Sequence, residues 1–258
     1  MATTIDLRTG ANKTNNPVIG WKNIAQNFTA TATSSKAGFS PAAALTYASY
    51  EGWSPSSTSG TLSLTITGNV NYIGVHFIGS GTGTIEYVTG GSTISSGTFS
   101  ASGAVLFLFN VNPLTTVRII VSSFTGYVAN VMFGEYTELQ RKIYVGHSPI
   151  NYSRNVERVQ GLSESGQFLG HIIRRRTKST RVEVNNLTPD YFRTVLDPFF
   201  EAAAEQPHYW SYRRDIPQVG STVDAKDQTA WAQVTGNPSA SNALSNGMMT
   251  ASWDIVAI

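Results

Sequence analysis

Cysteine is absent from the 258 residues, so the chain can form neither disulfide bonds nor thiolate metal sites. Charge is also scarce, because Asp, Glu, Lys and Arg make up only 13% of the residues, against ~25% in typical globular domains. The net charge of +2 is too small to indicate nucleic-acid binding by itself. Stability must therefore come from burial of the 41% hydrophobic residues or from assembly.

Long hydrophobic runs are missing as well. No stretch approaches the ~18 apolar residues of a membrane-spanning helix. The N-terminus, MATTIDLRTGANKTNN, lacks the apolar centre of a signal peptide. We therefore expect no membrane insertion and no secretion.

Signatures of hydrolytic enzymes are not found either. No Gly-x-Ser-x-Gly motif occurs, which excludes the common nucleophile elbow. Glu157 with Glu164, or Asp224 with Asp227, could act as paired carboxylates only if the fold brought them together. We expect that the protein is not an enzyme and needs no cofactor.

The histidines and one glycine-rich segment offer little chemistry. None of His76, His147, His171 and His208 has a second ligand at metal-site spacing, so no metal is expected, and His76 is predicted to face solvent or to be hydrogen-bonded. Residues 79–83 (GSGTG) have neither the lysine nor the following helix of a phosphate loop. We interpret that segment as a hairpin turn.

Charge divides the chain into two parts. Residues 1–140 contain five basic and five acidic side chains, whereas residues 141–258 contain thirteen and eleven. This shift predicts two domains, 1–138 and 139–258, with different surfaces.

The first part is predicted to be a jelly-roll β-sandwich. Residues 61–67 alternate strictly, with Leu62, Leu64 and Ile66 on one face, and residues 72–78 alternate in the same way. Glycine-rich connections separate these segments from the next ones. Further strands are predicted at residues 84–88, 104–109, 116–121 and 127–133.

The second part is predicted to be a β-sandwich with one α-helix, which makes the fold class mainly β. The helix spans residues 188–206, with Thr188 as its N-cap, Pro189 at the first helical position and a kink at Pro198. Strands are predicted at residues 142–145, 181–185, 208–213, 229–234 and 248–258. Long polar loops are expected at residues 153–167 and 219–228.

A cluster of basic residues lies in the second part, at Arg174, Arg175, Arg176 and Lys178. Such a cluster can bind phosphate groups. Eleven acidic residues in the same part dilute its field, and no interleaved aromatic residues accompany it. We therefore favour a subunit interface, where arginine is enriched, over nucleic acid.

Aromatic side chains are concentrated just before the first clear strand, at Tyr47, Tyr50 and Trp53, with Glu51 among them. Aromatic rings in loops suit binding surfaces and stack on sugars. These four residues are the candidate ligand-binding site. Trp53 has an alternative role, which is to fill the base of the sandwich, and Tyr50 and Glu51 are the better candidates for exposure.

Residues 25–135 resemble the discoidin-type, galactose-binding-like family. The resemblance rests on ATATSSKAGFSPAAALTY, GWSPSSTSGTLSLTI, NYIGVHF and LFLFNVNPLTTVRIIVSS. It implies a jelly-roll sandwich that binds sugars, lipids or proteins through loops at one end, with no fixed ligand motif to transfer.

Residues 143–258 resemble the distal tail or minor tail proteins of tailed bacteriophages. The resemblance rests on SPINYSRNVERVQGLSESGQFLG, NNLTPDYFRTVLDPFFEAAAEQPHYWSYR and SNGMMTASWDIVAI. It implies a baseplate subunit that forms a ring with copies of itself, most often six and alternatively three. The implied partners are the tail tube, tape-measure and hub or fibre proteins.

Together these observations predict a structural virion protein of a phage tail tip, assembled in the bacterial cytoplasm. Its sandwich would contact host-surface glycans or hold other tail proteins. The alternative from another class is a glycan-binding accessory module of a polysaccharide-degrading system.

Overall fold

The computed structural model describes residues 3–9, 16–143, 147–212, 229–242 and 247–258. Short 3-10 turns cover Ala25–Asn27, Pro41–Leu45 and Ile150–Tyr152. Helix α1 consists of Pro189–Tyr191, a π-helical turn at Phe192–Leu196, and Asp197–Ala203. The strands are β1 Thr3–Asp6, β2 Val18–Gly20, β3 Ala30–Ala32, β4 Gly60–Thr89, β5 Ser92–Ser100, β6 Gly103–Gly134, β7 Thr137–Glu138, β8 Asn155–Leu162, β9 Phe168–Thr177, β10 Ser179–Leu187, β11 His208–Ser211, β12 Thr229–Ser241 and β13 Met249–Ala257.

The long strands β4 and β6 bend, so that each contributes to two sheets. In the first sheet, residues 72–79 of β4 lie between two stretches of β6, 103–108 and 126–134, and β1 pairs in parallel with the outer stretch. In the second sheet, residues 112–122 of β6 lie between 60–70 and 82–88 of β4. Strands β3 and β5 form the edges of the second sheet.

The two sheets pack face to face as a β-sandwich. The alternating residues Leu62, Leu64 and Ile66 of the second sheet share one core with Val75 and Phe77 of the first sheet. Period-2 patterns place every second side chain on the same face. The strands predicted between residues 61 and 133 are thus confirmed, and so is the mainly β fold class.

The GSGTG segment is not a hairpin turn, so that prediction was wrong. Residues 79–83 lie inside β4 and carry the chain from the first sheet to the second. Gly79 has a φ of 145°, and a Cβ there would lie 2.1 Å from the Thr125 carbonyl oxygen. Glycine at this point lets two strands cross closely while the ladder continues.

A third sheet contains six strands in the order β10-β13-β12-β11-β2-β7. Two of its strands, β2 and β7, lie within residues 1–138, the first of the two predicted domains. The predicted division at residues 138 and 139 stays a prediction, and the sequence pattern does not indicate that β2 joins strands nearly 200 residues away.

The third sheet is covered on both faces. Val18, Tyr209 and Trp231 pack against the outer face of the first sheet. The alternate residues Ile19 and Trp210 pack toward α1. The described residues therefore form four layers, in the order second sheet, first sheet, third sheet, helix.

His76 is buried by this arrangement, which corrects the prediction that it faces solvent. It is 9% exposed and lies on the outer face of the first sheet. Its ring lies 5.1 Å from that of Trp231 in the third sheet. The sequence predicts that this face of the first sheet is exposed, because it carries polar residues. It is buried because the third sheet covers it.

Helix α1 begins as predicted. Thr188 is the N-cap, and its Oγ1 accepts a hydrogen bond from the Tyr191 amide at 3.3 Å. The helix ends at Ala203 and not at residue 206. The π-helical turn ends two residues before Pro198, which has no amide hydrogen and would clash with a regular preceding turn. The kink at Pro198 stays a prediction.

Residues 153–167 do not form a polar loop, so that prediction was wrong. They contain β8 and the connection to β9, and these two strands form a sheet of their own. Lys142 and Ile143 are not in a strand. The loop predicted at 219–228 lies outside the described residues.

Candidate binding surfaces

The four predicted ligand-binding residues lie in different environments. Trp53 is fully buried, and its Nε1 donates to the Ser34 carbonyl at 3.0 Å. It belongs to the sandwich core, which corrects its assignment to a ligand site. The Tyr47 hydroxyl donates to Gln206 Oε1 at 2.7 Å, so Tyr47 joins the sandwich to the segment after α1. Only Tyr50, 82% exposed, presents its ring fully to solvent.

Glu51 is half-buried beside these aromatic residues, and its Oε1 accepts from Thr46 Oγ1 at 3.4 Å. This bond connects the loop to the end of the Pro41–Leu45 turn. The assignment of Tyr50 and Glu51 to a ligand site stays a prediction.

An aromatic surface lies at this end of the sandwich, formed by Lys36, Phe39, Tyr50 and Tyr127. The rings of Phe39 and Tyr127 are 5.6 Å apart, and Lys36 Nζ lies 5.7 Å from the centre of the Phe39 ring. The Tyr127 hydroxyl donates to the carbonyl of Ser49 at 2.9 Å, which fixes the loop that carries Tyr50. No sequence pattern indicates that Lys36, Phe39 and Tyr127 belong to one surface, because Tyr127 lies far from the other two along the chain.

The β8–β9 hairpin is the most exposed part of the described chain. Every residue of β8 is exposed, as are most residues of β9. Six large apolar side chains on the hairpin are 37–73% exposed. They are Val156, Val159, Leu162, Phe168, Leu169 and Ile172.

The predicted basic cluster lies on β9 and at its end. Arg174, Arg175 and Arg176 are exposed, and Arg174 Nη1 lies 3.6 Å from Glu157 Oε1 across the hairpin. Lys178 is half-buried, and its Nζ donates to Asn151 Oδ1 at 3.2 Å. The apolar and basic groups thus share one projecting element. Their role in a subunit interface stays a prediction.

The outer face of α1 is acidic. Asp190, Asp197 and Glu201 are exposed on the helix, and exposed Glu205 follows it, while Arg193 is the exposed cation among them. Residues spaced by four or seven along a helix share a face. The opposite face buries Leu196, Phe199 and Ala203 against the third sheet.

Buried histidines lie in the third sheet and at its boundary with the first. Burial lowers the pKa of His208 to about 3 and that of His76 to about 4. Neither ring nitrogen of His208 has a hydrogen-bond partner within the described chain. Both histidines are therefore neutral at physiological pH and serve as packing groups.

No described group of three or more His, Cys, Asp or Glu side chains is arranged to hold a metal ion. Glu157, one of the carboxylates considered for catalysis, faces Arg174. Asp224 and Asp227 lie outside the described residues. Among the described helices, none combines the length and the apolar character that a bilayer-spanning segment requires.

Comparison with solved structures gives weak similarities that include two chitosan-binding module structures and a fucosidase. No protein-family model and no curated protein matches the chain. Chitosan-binding module 1 of a chitosanase/glucanase from Paenibacillus sp. IK-5 is 20% identical, with a TM-score of 0.37 over 44% of this chain and 98% of that module. A selenomethionine-labelled mutant of the same module is 17% identical over 46% of this chain, with a TM-score of 0.37.

A Ruminococcus gnavus GH29 fucosidase in complex with fucose is 12% identical, with a TM-score of 0.39 over 46% of this chain and 27% of that enzyme. At these scores the similarities support no conclusion about the function of this chain. The sandwich assignment comes from the strand pairing and the core described above.

Proposed function

We propose that this chain is a non-catalytic structural subunit that assembles head to tail into a ring, as a subunit of a phage tail tip would. The observation that carries the proposal is the β8–β9 hairpin, which forms a separate two-stranded sheet and exposes six large apolar side chains. In this proposal the ring has six copies, with three as the alternative. The neighbours would be the tail tube, tape-measure and hub or fibre proteins of a virion.

A hairpin of this kind needs a partner. Two isolated strands are marginally stable in water, and contiguous exposed apolar surface marks interaction sites. Leu169 and Ile172 are 69% and 73% exposed, so most of their apolar surface is free to be buried by another molecule. Burial of such side chains stabilises an interface by roughly 25 cal/mol for each Å² removed from water.

Charge complementarity favours a second copy of this chain as that partner. The hairpin carries Arg174 and Arg175, while the outer face of α1 carries Asp197 and Glu201. Complementary surfaces steer association and fix its register. Half-buried apolar groups on α1, at Phe192, Val195 and Phe200, lie beside the acidic residues.

The hairpin and α1 are different surfaces, so the contact between copies is heterologous. A heterologous contact produces a ring if the rotation between copies closes, and a filament if it does not. Ring formation by this route requires no partner other than further copies.

The mass of the purified full-length chain in solution tests the proposal. We expect a discrete species of about six times the 27.8 kDa chain mass, or of three times for a trimer. The double variant Phe168→Ser, Ile172→Ser should be monomeric, whereas Val111→Ser, which changes an exposed apolar residue outside the hairpin, should assemble normally. A monomeric wild-type chain that also fails to bind isolated tail tubes would contradict the proposal.

The aromatic surface favours a second function, glycan binding by the sandwich. Tyr50 is exposed and follows Ser49, whose carbonyl accepts from the hydroxyl of Tyr127, and the Tyr127 ring packs on Phe39. Flat rings stack on the apolar faces of sugars. Sites of low affinity gain avidity when a ring repeats them. The chain would then act as a glycan-binding accessory or as an attachment protein.

A glycan array tests this second function. We expect the wild type to retain a set of glycans that Tyr50→Ala loses, while Val111→Ser keeps them. Binding unaffected by Tyr50→Ala would exclude the aromatic surface.

A further inference from the structure

A cavity of about 490 Å³ lies where the first sheet, the third sheet and the base of the β8–β9 hairpin meet. This volume lies within the usual range of small-molecule sites. The first sheet contributes His76, the third sheet contributes Trp231, and the end of the hairpin contributes Arg176 and Lys178.

The charged side chains that line the cavity are basic. Arg176 and Lys178 line it, and no Asp or Glu is among its described lining residues. Lys178 Nζ donates to Asn151 Oδ1 at 3.2 Å, and the Asn151 side-chain amide donates to the Thr229 carbonyl at 2.7 Å. A neutral amide thus positions the ammonium group without neutralising it.

Buried polar groups also line this cavity. Trp231 is 1% exposed and His76 is 9% exposed. Within the described chain, neither Trp231 Nε1 nor His76 Nδ1 has a hydrogen-bond partner. The donors that the cavity offers to a ligand are therefore the two cationic side chains, Arg176 and Lys178.

We propose that this cavity binds a small anionic ligand, recognised through the oxygens of a carboxylate or phosphate group. Arginine and lysine form charge-assisted hydrogen bonds with such oxygens. A uronic acid and a sugar phosphate share this chemistry, and each is small enough for the volume. The site is separate from the aromatic surface and does not depend on ring formation.

Isothermal titration calorimetry of the full chain at constant ionic strength tests this inference. The probes are glucuronate, glucose 6-phosphate and inorganic phosphate, with glucose as the neutral control. We expect saturable binding of at least one anion and none of glucose. Binding of glucuronate alone identifies a carboxylate ligand, whereas binding of the two phosphate compounds identifies a phosphate ligand.

Variants locate the bound anion. Lys178→Met should weaken binding about tenfold or more, because a charge-assisted hydrogen bond is lost. Arg174→Met, which removes an exposed charge of β9 outside the cavity, should bind as the wild type does. The absence of saturable binding by every anion, or equal affinities of the Lys178→Met and Arg174→Met variants, would overturn the proposal. An unchanged urea midpoint of each variant confirms that it is folded.

Discussion

At the scale of single residues, two tyrosines and two glycines determine how closely the first and third sheets approach. A Cβ on Gly74 would lie 2.4 Å from the Tyr209 ring, and a Cβ on Gly20 would lie 2.8 Å from the Tyr72 ring. Each sheet thus places a tyrosine ring over a glycine of the other. The alternation of residues 72–78 predicts which face Gly74 occupies, but it cannot predict the sheet that covers this face.

Gly74→Ala should therefore destabilise the protein. We expect the free energy of unfolding in urea to fall by about 1–3 kcal/mol, the usual cost of overpacking. Gly161→Ala is the matched control, because its nearest contact would be an ordinary 3.6 Å. Equal effects of the two substitutions would show that the sheets are not closely packed at Gly74.

His76 and His208 make stability dependent on pH. Their folded pKa values, about 4 and about 3, lie below the ordinary value of 6.5, so the unfolded chain takes up protons first as the pH falls. The stabilising contribution of the neutral histidines is complete above pH 6.5 and is lost below it. Between pH 6 and pH 5 each histidine should lower the free energy of unfolding by up to about 1.4 kcal/mol per pH unit.

Urea unfolding at pH 7, 6 and 5 measures this slope. His208→Gln should reduce the slope without abolishing it, since His76 and His147, whose pKa burial also lowers, remain. Stability that does not change over this range would contradict the burial of both histidines.

At the scale of elements, local signals account for α1 but not for the hairpin. Thr188 and Pro189 occupy the positions that capping preferences give them. Strand β8 gives no such signal, because all eight of its residues are exposed and period-2 alternation marks only half-buried strands. The polar sequence of residues 153–167 therefore predicts a loop, although the segment pairs with β9.

The cap of α1 can be tested by substitution. Thr188 Oγ1 accepts from the Tyr191 amide and from Gln140 Nε2, at 3.3 and 3.1 Å. Thr188→Ala should lower the free energy of unfolding by about 1 kcal/mol, whereas Thr188→Ser should retain most of it. A loss equally large for serine would show that the hydroxyl is not the stabilising group.

At the scale of the whole molecule, the four layers join parts of the chain that are distant in sequence. Strand β2 pairs with β11, and Tyr47 bonds Gln206 across 159 residues. Composition and alternation predict the mainly β class and the strands of the sandwich. They do not predict that the third sheet packs on the first, because local sequence patterns contain no information on which distant segments will be in contact. For the same reason they place Trp53 in a binding loop and in the core as alternatives, and burial decides for the core.

Two surfaces of the molecule would form the proposed contact between copies, one on the β8–β9 hairpin and one on α1. The basic, apolar hairpin and the acidic face of α1 are both exposed, and a head-to-tail contact requires both on each copy. If two hairpins paired with each other, the contact would be isologous and would stop at a dimer.

Mixing two defective variants tests this central claim most directly. One variant loses the hairpin surface (Phe168→Ser, Ile172→Ser), and the other has its helix charge reversed (Asp197→Lys, Glu201→Lys). Each is expected to be monomeric alone, and the mixture is expected to form 1:1 dimers by mass photometry, because one intact hairpin meets one intact helix. Self-assembly of the helix variant alone, or a mixture that remains monomeric while the wild type assembles, would contradict a head-to-tail ring.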